Sequence, residues 1–453
     1  MPDKLNSIST IDGRYNKEVS VLSNYFSESA LMRYRLMVEV EYLISLGEEK
    51  KLAELPLISK TVQNSLRKIY ERFDSISARR IKKIETQTNH DVKAVEFYIS
   101  EKLRKMNKPN LIPWVHFGLT SEDVNNISYS LMWKDGIKNV YLAKLSSIQK
   151  AIKMLANKYS KEAMLSLTHG QPATPTTFGK EMAVFLSRLN KQCTTLKGLG
   201  LECKLTGATA NSAPHYIAYP SINWIRFTKK FISRLGLKHN ALTTQVECHD
   251  SLAEQYHLLC RINSILIDFS NDMWFYIGRG ILVQEKVSGE TGSSTMPHKI
   301  NPIHFENAEG NCGLANALLV HLANKLTISR MQRDLSGSTV IRNQGIALGY
   351  CVVALNSLIK GVDRVRINKQ KISSELNNHW EVLAEAVQTI LRKNGHPDAY
   401  EKIKELTRGK TVSKNSIREI ISMLDVSGND KDVLMRLTPG GYTGLSAVLA
   451  KLR

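Results

Sequence analysis

An all-α fold follows from three observations on this 453-residue chain. Apolar residues recur at steps of three and four, the run from Ser251 to Lys286 has no proline and is apolar on nearly every face, and strand-like alternation is weak. In "FGKEMAVFLSRLNKQCTTLKGL" the residues Met182, Phe185, Leu189, Cys193 and Leu196 align on one helical face. The run from Ser251 to Lys286 would reach roughly 50 Å as one helix. Its all-round apolarity demands a neighbour on each side, so a bundle completed by further copies of the chain is expected. No Asn-Gly hairpin signal is present.

Length suggests about three domains. Prolines in "NKPNLIPW" and the charged "GVDRVRINKQ" mark the breaks, giving a helical segment 1–110, a long-helix bundle 111–365 and a helical segment 366–453. A hydrophobic fraction of 42% and a charged fraction of 23% are those of a folded globular chain. The start "MPDKLNSIST" has no leader pattern and no stretch approaches the ~18 apolar residues of a membrane span, so a cytoplasmic location is expected. Six cysteines without regular spacing suit reduced thiols in a core rather than disulfides or zinc. The net charge of +20 favours anionic partners. No zinc-finger spacing, aromatic RNA-binding motif or basic tail accompanies it, which disfavours a nucleic-acid binder. Dinucleotide and Gly-x4-Gly-Lys phosphate loops and His-Glu-x-x-His are absent too, leaving redox, NTP-driven and zinc-protease chemistry unsupported.

Five polar segments interrupt the helical pattern. In "TNHDVKAVE" Asn89, His90, Asp91 and Lys93 crowd a helix start, where plain capping is an equally good account. In "LTSEDVNN" Thr120 precedes Asp123 by three, a capping-box pattern. "LTHGQPATP" sets His169 beside Gly170 and ahead of an expected helix start at Thr174-Pro175, outside any apolar stripe; a histidine can give or take a proton near neutral pH. "GSSTMPHKINP" packs Ser293, Ser294, His298, Lys299 and Asn301 between glycine and proline, which predicts a mobile loop. Asn301-Pro302 then reads as a cap and first turn of a helix whose free N–H groups face an anion, with Lys299 close by. "SRMQRDLSGSTVIRNQG" offers Arg330, Arg333 and Arg342 for carboxylate or phosphate recognition. From residue chemistry alone, His298 is the natural general base.

These segments, with "DGRY" (Asp12 to Tyr15) and "ELTRGK" (Glu405 to Lys410), resemble in order and over almost the whole chain the fumarase/aspartase superfamily, and within it the bacterial adenylosuccinate lyases. A histidine before the lysine, here His298, is typical of that branch and of the cycloisomerases. The resemblance implies elimination of fumarate from adenylosuccinate to give AMP and from the succinylated aminoimidazole carboxamide ribotide (SAICAR) to give AICAR, with no metal or organic cofactor. It implies a three-domain all-α subunit and a homotetramer whose active sites combine residues of three subunits. It assigns the proton donor to His169 and the base to Ser293. Substrate contacts are carried to Arg14, Tyr15, Asn89, His90, Asp91, Thr120, Ser121, Gln245, Ser294, Lys299, Asn301, Asn307, Arg333, Ser338, Thr339, Val340, Ile341 and Arg342. His304 and Gly337 depart from the family pattern without touching a proposed catalytic role. The alternatives are another fumarate-releasing lyase or a cycloisomerase of the superfamily and, from a different class, a scaffold or basic nucleic-acid binder.

Overall fold

The computed structural model describes residues 4–287, 289, 295–409 and 412–452. It is mostly helical. The elements that matter for function are helices α1 (Glu28–Gly47), α2 (Asp91–Lys105), α3 (Ser121–Gly136) and α4 (Leu142–Lys158), strands β1 (Ala163–Thr168) and β2 (Gln171–Thr177), and helices α5 (Phe178–Gly198), α6 (Asp250–Gly278), α7 (Ile303–Leu326), α8 (Ser336–Ile341) and α9 (Gln344–Asp363).

The chain forms two compact units, each assembled from separated segments: 1–145, 192–264 and 310–356 in the first, and 146–191, 265–309 and 357–453 in the second. In the first unit, α1 begins where Ser27 accepts a hydrogen bond from the Ala30 N–H (3.1 Å), satisfying one otherwise orphaned donor. Leu36, Val38, Val40, Ile44 and Leu46 of α1 are fully buried. Trp133 of α3 meets Tyr256 of α6 edge-to-face at 4.8 Å between ring centroids, and its indole N–H donates to Gln255 (2.9 Å). The second unit has its own core, built by Trp380, Leu383, Val387, Leu391, Ile417, Ile421 and Leu434. Elsewhere in the second unit Phe185 and Phe269 pack edge-to-face at 5.4 Å.

Among the described residues three short two-stranded sheets accompany the helices of the expected all-α fold. β1 and β2 form an antiparallel hairpin with Thr168 opposite Gln171. Its two turn residues, His169 (φ 53°) and Gly170 (φ 74°), both have positive φ, the pattern of a type I′ turn. Thr174 and Pro175 therefore lie in a strand, and the helix expected to start there begins at Phe178. The long apolar run likewise divides into α6, 29 residues or about 43 Å long, and a strand at Leu282–Gln284 paired with Val365–Ile367. Within Ser336–Asp363 an 18-residue window with mean hydropathy 1.6 is long and apolar enough to cross a membrane, contrary to the sequence reading. Two thirds of that window (67%) is buried inside the protein, which is the environment of a core helix. Among the described residues the cysteines are free thiols, and four of the six are buried.

Candidate active site

The start of α3 reaches Arg333 and Gln245 on one side and, through Arg35, Asp91 on the other. Thr120 caps it: the Asp123 carboxylate reaches back to accept the Thr120 N–H at 2.9 Å. Three of the acidic or amide side chains that follow Ser121 each organise a different neighbour.

Asp123, fully buried, pairs with the equally buried Lys204 at 2.8 Å. It also accepts the N–H groups of Thr206 (2.9 Å) and Gly207 (3.0 Å), while the Lys204 ammonium donates to the Gly207 carbonyl (2.9 Å). A buried charge is tolerable only with such complete satisfaction. Glu122 lies 3.9 Å from Arg333, whose guanidinium donates to Gln245 Oε1 (2.6 Å); Gln245 in turn donates to the Ala208 carbonyl (2.7 Å). Burial pushes Glu122 up to about 7 against the pull of Arg333 and Lys204. Asn125 accepts from Arg35 Nε (2.9 Å), and Arg35 Nη2 reaches Asp91 at 2.8 Å.

Asp91 carries the next link. It holds Arg342 at 3.0 Å as well as Arg35. Burial would raise its carboxyl, but the two guanidinium groups outweigh it and bring it down to about 2. Asn89 ends the preceding helix Ser75–Thr88 in the left-handed conformation (φ 48°). His90 then caps α2, its Nδ1 accepting the Lys93 N–H at 3.2 Å. In the neutral ring this puts the proton on Nε2. The side chain is 52% exposed, so that donor can face solvent or a ligand.

The structure thus brings Asp91 to Arg342, and Gln245 to Arg333, with Thr120 and Ser121 on the turn of α3 between those links. Ser338, Thr339, Val340, Ile341 and Arg342 are consecutive on and just beyond α8, and Asp334 accepts the Ser336 N–H (2.8 Å) to fix its start. Arg14 is exposed and Tyr15 half-buried ahead of the short helix Asn16–Val19. Among the described residues Arg14 makes no hydrogen bond or ion pair with the others.

In the second unit, His169 stands exposed at the tip of the hairpin. Partway along β2, Thr174 hydrogen-bonds Glu385, which also accepts from Tyr442 (3.3 Å). Residues 295–300 are exposed, including His298 and Lys299; Lys299 N–H donates to the Met296 carbonyl (3.0 Å) and Gln284 to the Ile300 carbonyl (3.0 Å). α7 begins two residues after Asn301. Its first turn carries Asn307, which accepts from Ser357 at 2.6 Å. Ser293 and Ser294 lie outside the described residues.

Sequence reasoning passed over Arg35, Glu122 and Lys204, and read Asp123 only as a cap. For Arg35 a signal existed: a guanidinium inside "ALMRYRLMVEVEYLISLG" is a charge in a run too apolar to be a surface. Lys204 in "LECKLTG" offers none, because only the fold shows that it is enclosed.

Comparison with known proteins places this geometry in context. The lyase family matches residues 13–315, and the adenylosuccinate lyase C-terminal family matches residues 329–443. The chain is 46% identical over 448 residues to the adenylosuccinate lyase of Legionella pneumophila (strain Corby), covering 99% of this chain and 98% of that one. It is 44% identical over 441 residues to the adenylosuccinate lyase of Escherichia coli (strain K12), covering 97% of each. Among solved structures, a fumarate lyase from Mesorhizobium sp. BNC1 superimposes with a TM-score of 0.74 at 16% identity, covering 95% of this chain and 96% of the other. The 3-carboxy-cis,cis-muconate lactonizing enzyme from Pseudomonas putida gives 0.73 at 19%, covering 95% of each. At such identities these two show a shared fold alone.

Proposed function

Since the chain belongs to the adenylosuccinate lyase family, we propose that it eliminates fumarate from adenylosuccinate to leave AMP, and from SAICAR to leave AICAR, as a carbon–nitrogen lyase of purine nucleotide biosynthesis. The observation that carries this reading is the end-to-end match with enzymes of that name. A cycloisomerase has only the fold in its favour.

The chemistry explains the choice of groups. The C–H to be broken lies beside a carboxylate that is already negative, so removing the proton builds a second negative charge on one group. Fixed donors aimed at that carboxylate are worth about 3 to 4 kcal/mol each. Lys299, Asn301 and the N–H groups at the start of α7 fill that role. His169 protonates the leaving nitrogen and Ser293 takes the carbon-bound proton, activated by Lys299 and backbone donors. Each positioned transfer contributes about 10² to 10⁴ in rate, so the two supply roughly 5 to 11 kcal/mol. The guanidinium groups of Arg333 and Arg342, with Arg14, Tyr15, Asn89, His90, Asp91, Thr120, Ser121, Gln245, Ser294, Asn307 and residues 338–341, bind phosphate, base and succinyl group.

The same reading carries the segment division 1–110, 111–365 and 366–453, a homotetramer that shares active sites between subunits, and a cytoplasmic location. Leu314 and Val320 of α7 and Trp274 and Phe275 of α6 stay exposed on the single chain, which supports burial against further copies. The deciding experiment follows fumarate absorbance with adenylosuccinate beside argininosuccinate. Fumarate should appear from the first alone. Ser293→Ala should lose at least 100-fold while His298→Ala stays within tenfold, and the reverse order would return the base to His298.

A further inference from the structure

Glu122 has no place among the substrate contacts, yet it sits one residue beyond Ser121 and beside Arg333. Its side chain is 9% exposed, and the 3.9 Å to Arg333 is ion-pair distance but too long for a hydrogen bond. Charge alone therefore holds Arg333 toward Glu122, whereas a 2.6 Å hydrogen bond holds it to Gln245. The groups facing the carboxylate are Arg333, Lys204, Asp123 and Arg35, with Tyr129 and His249 lining the same small cleft. Lys204 is already matched by Asp123 at 2.8 Å and Arg35 by Asp91 at 2.8 Å. Among the described residues Arg333 is thus the cation whose charge Glu122 alone answers at ion-pair distance.

We propose that Glu122 is the positioning residue for Arg333: as a carboxylate it holds the guanidinium against Gln245, and by taking one proton from solvent it yields that guanidinium to the anionic group of the substrate. The inference rests on the function proposed above. Its physical basis is competition: an anion arriving on Arg333 cancels the positive field that keeps Glu122 ionised in a buried site, and a buried carboxylate without that field protonates. Near neutral pH the carboxyl is already poised for this, since burial brings it to about 7.

The test compares the full-length protein with Glu122→Gln, a near-isosteric side chain that is always neutral. KM and kcat for fumarate release are measured from pH 6 to 8.5. Proton uptake on binding AMP is measured calorimetrically at pH 8 in two buffers of different ionisation heat. The wild-type KM should rise at least fivefold more than the variant's between pH 6.5 and 8.5, with kcat of the two within about threefold. Wild type should take up roughly 0.5 to 1 proton more per AMP than Glu122→Gln. Infrared difference spectra of wild type alone should show a protonated-carboxyl band growing on AMP addition, a readout that needs no variant. Equal KM slopes and equal proton counts, or no new carboxyl band, overturn the proposal. If wild type releases no fumarate from adenylosuccinate, the function falls instead, whatever the variant does.

Discussion

Replacing Lys204 by methionine tests the polar centre on which the α3 turn is built. The substitution keeps the unbranched stem of the side chain, one atom shorter, but leaves Asp123 as a fully buried carboxylate without its cation. Breaking a buried pair by removing one partner costs about 3 to 5 kcal/mol. Three backbone N–H donors, from Thr120 (2.9 Å), Thr206 (2.9 Å) and Gly207 (3.0 Å), remain on Asp123 and spread its charge, which places the cost near the lower end, about 3 kcal/mol. With a urea slope of roughly 3 kcal/mol/M, the unfolding midpoint should fall by about 1 M. Circular dichroism during urea titration reads this directly. A midpoint shift under about 0.3 M would mean that the backbone donors, rather than the ion pair, hold Asp123, and the account of the α3 turn would be wrong.

His169→Leu should lower fumarate release by about 10² to 10⁴ while costing no more than about 1 to 2 kcal/mol of stability, the strain of leucine at positive φ on an exposed hairpin tip; a rate within tenfold of wild type removes its role as acid. Asp91→Asn should cost about 1 to 2 kcal/mol at pH 7, from its two guanidinium partners. Because the folded carboxyl is depressed to about 2, that contribution is present above the ordinary aspartate value and disappears only as pH falls toward 2, so wild type and variant should converge in acid urea melts. Glu122 has the opposite sign. Its folded value is raised to about 7, so its neutral form is stable at acid pH, and wild type should lose about 3 kcal/mol relative to Glu122→Gln as pH rises from 4.5 through 7. Parallel stability curves for the two proteins would refute it.

The helical class and the caps at His90 and Thr120 were legible because each is a local pattern whose physics is local. The hairpin at His169 was not. Its signal is a left-handed pair at the turn, and His169-Gly170 supplies it where Asn-Gly would be looked for; histidine is one of the few side chains enriched at positive φ. The expected helix start at Thr174-Pro175 failed for the same reason, since proline at an edge strand and proline at a helical first turn look alike in sequence. Asp91, Arg333, Arg342 and Gln245 were named as substrate contacts through the resemblance. Their direct pairing, Asp91 with Arg342 and Gln245 with Arg333, was hidden, because it joins residues far apart in sequence, 251 positions in the case of Asp91 and Arg342.

Because each compact unit draws on three stretches of the chain, with the other unit's stretches threaded between them, synthesis on the ribosome cannot complete either one early. The first waits for residue 356 and the second for the C-terminal segment. Until then the oily flanks of α6 and α7 have no permanent cover. Such a nascent chain should lean on holding chaperones during translation, and splitting the gene at a point between residues 146 and 356 should yield two fragments that must find each other before either unit is complete.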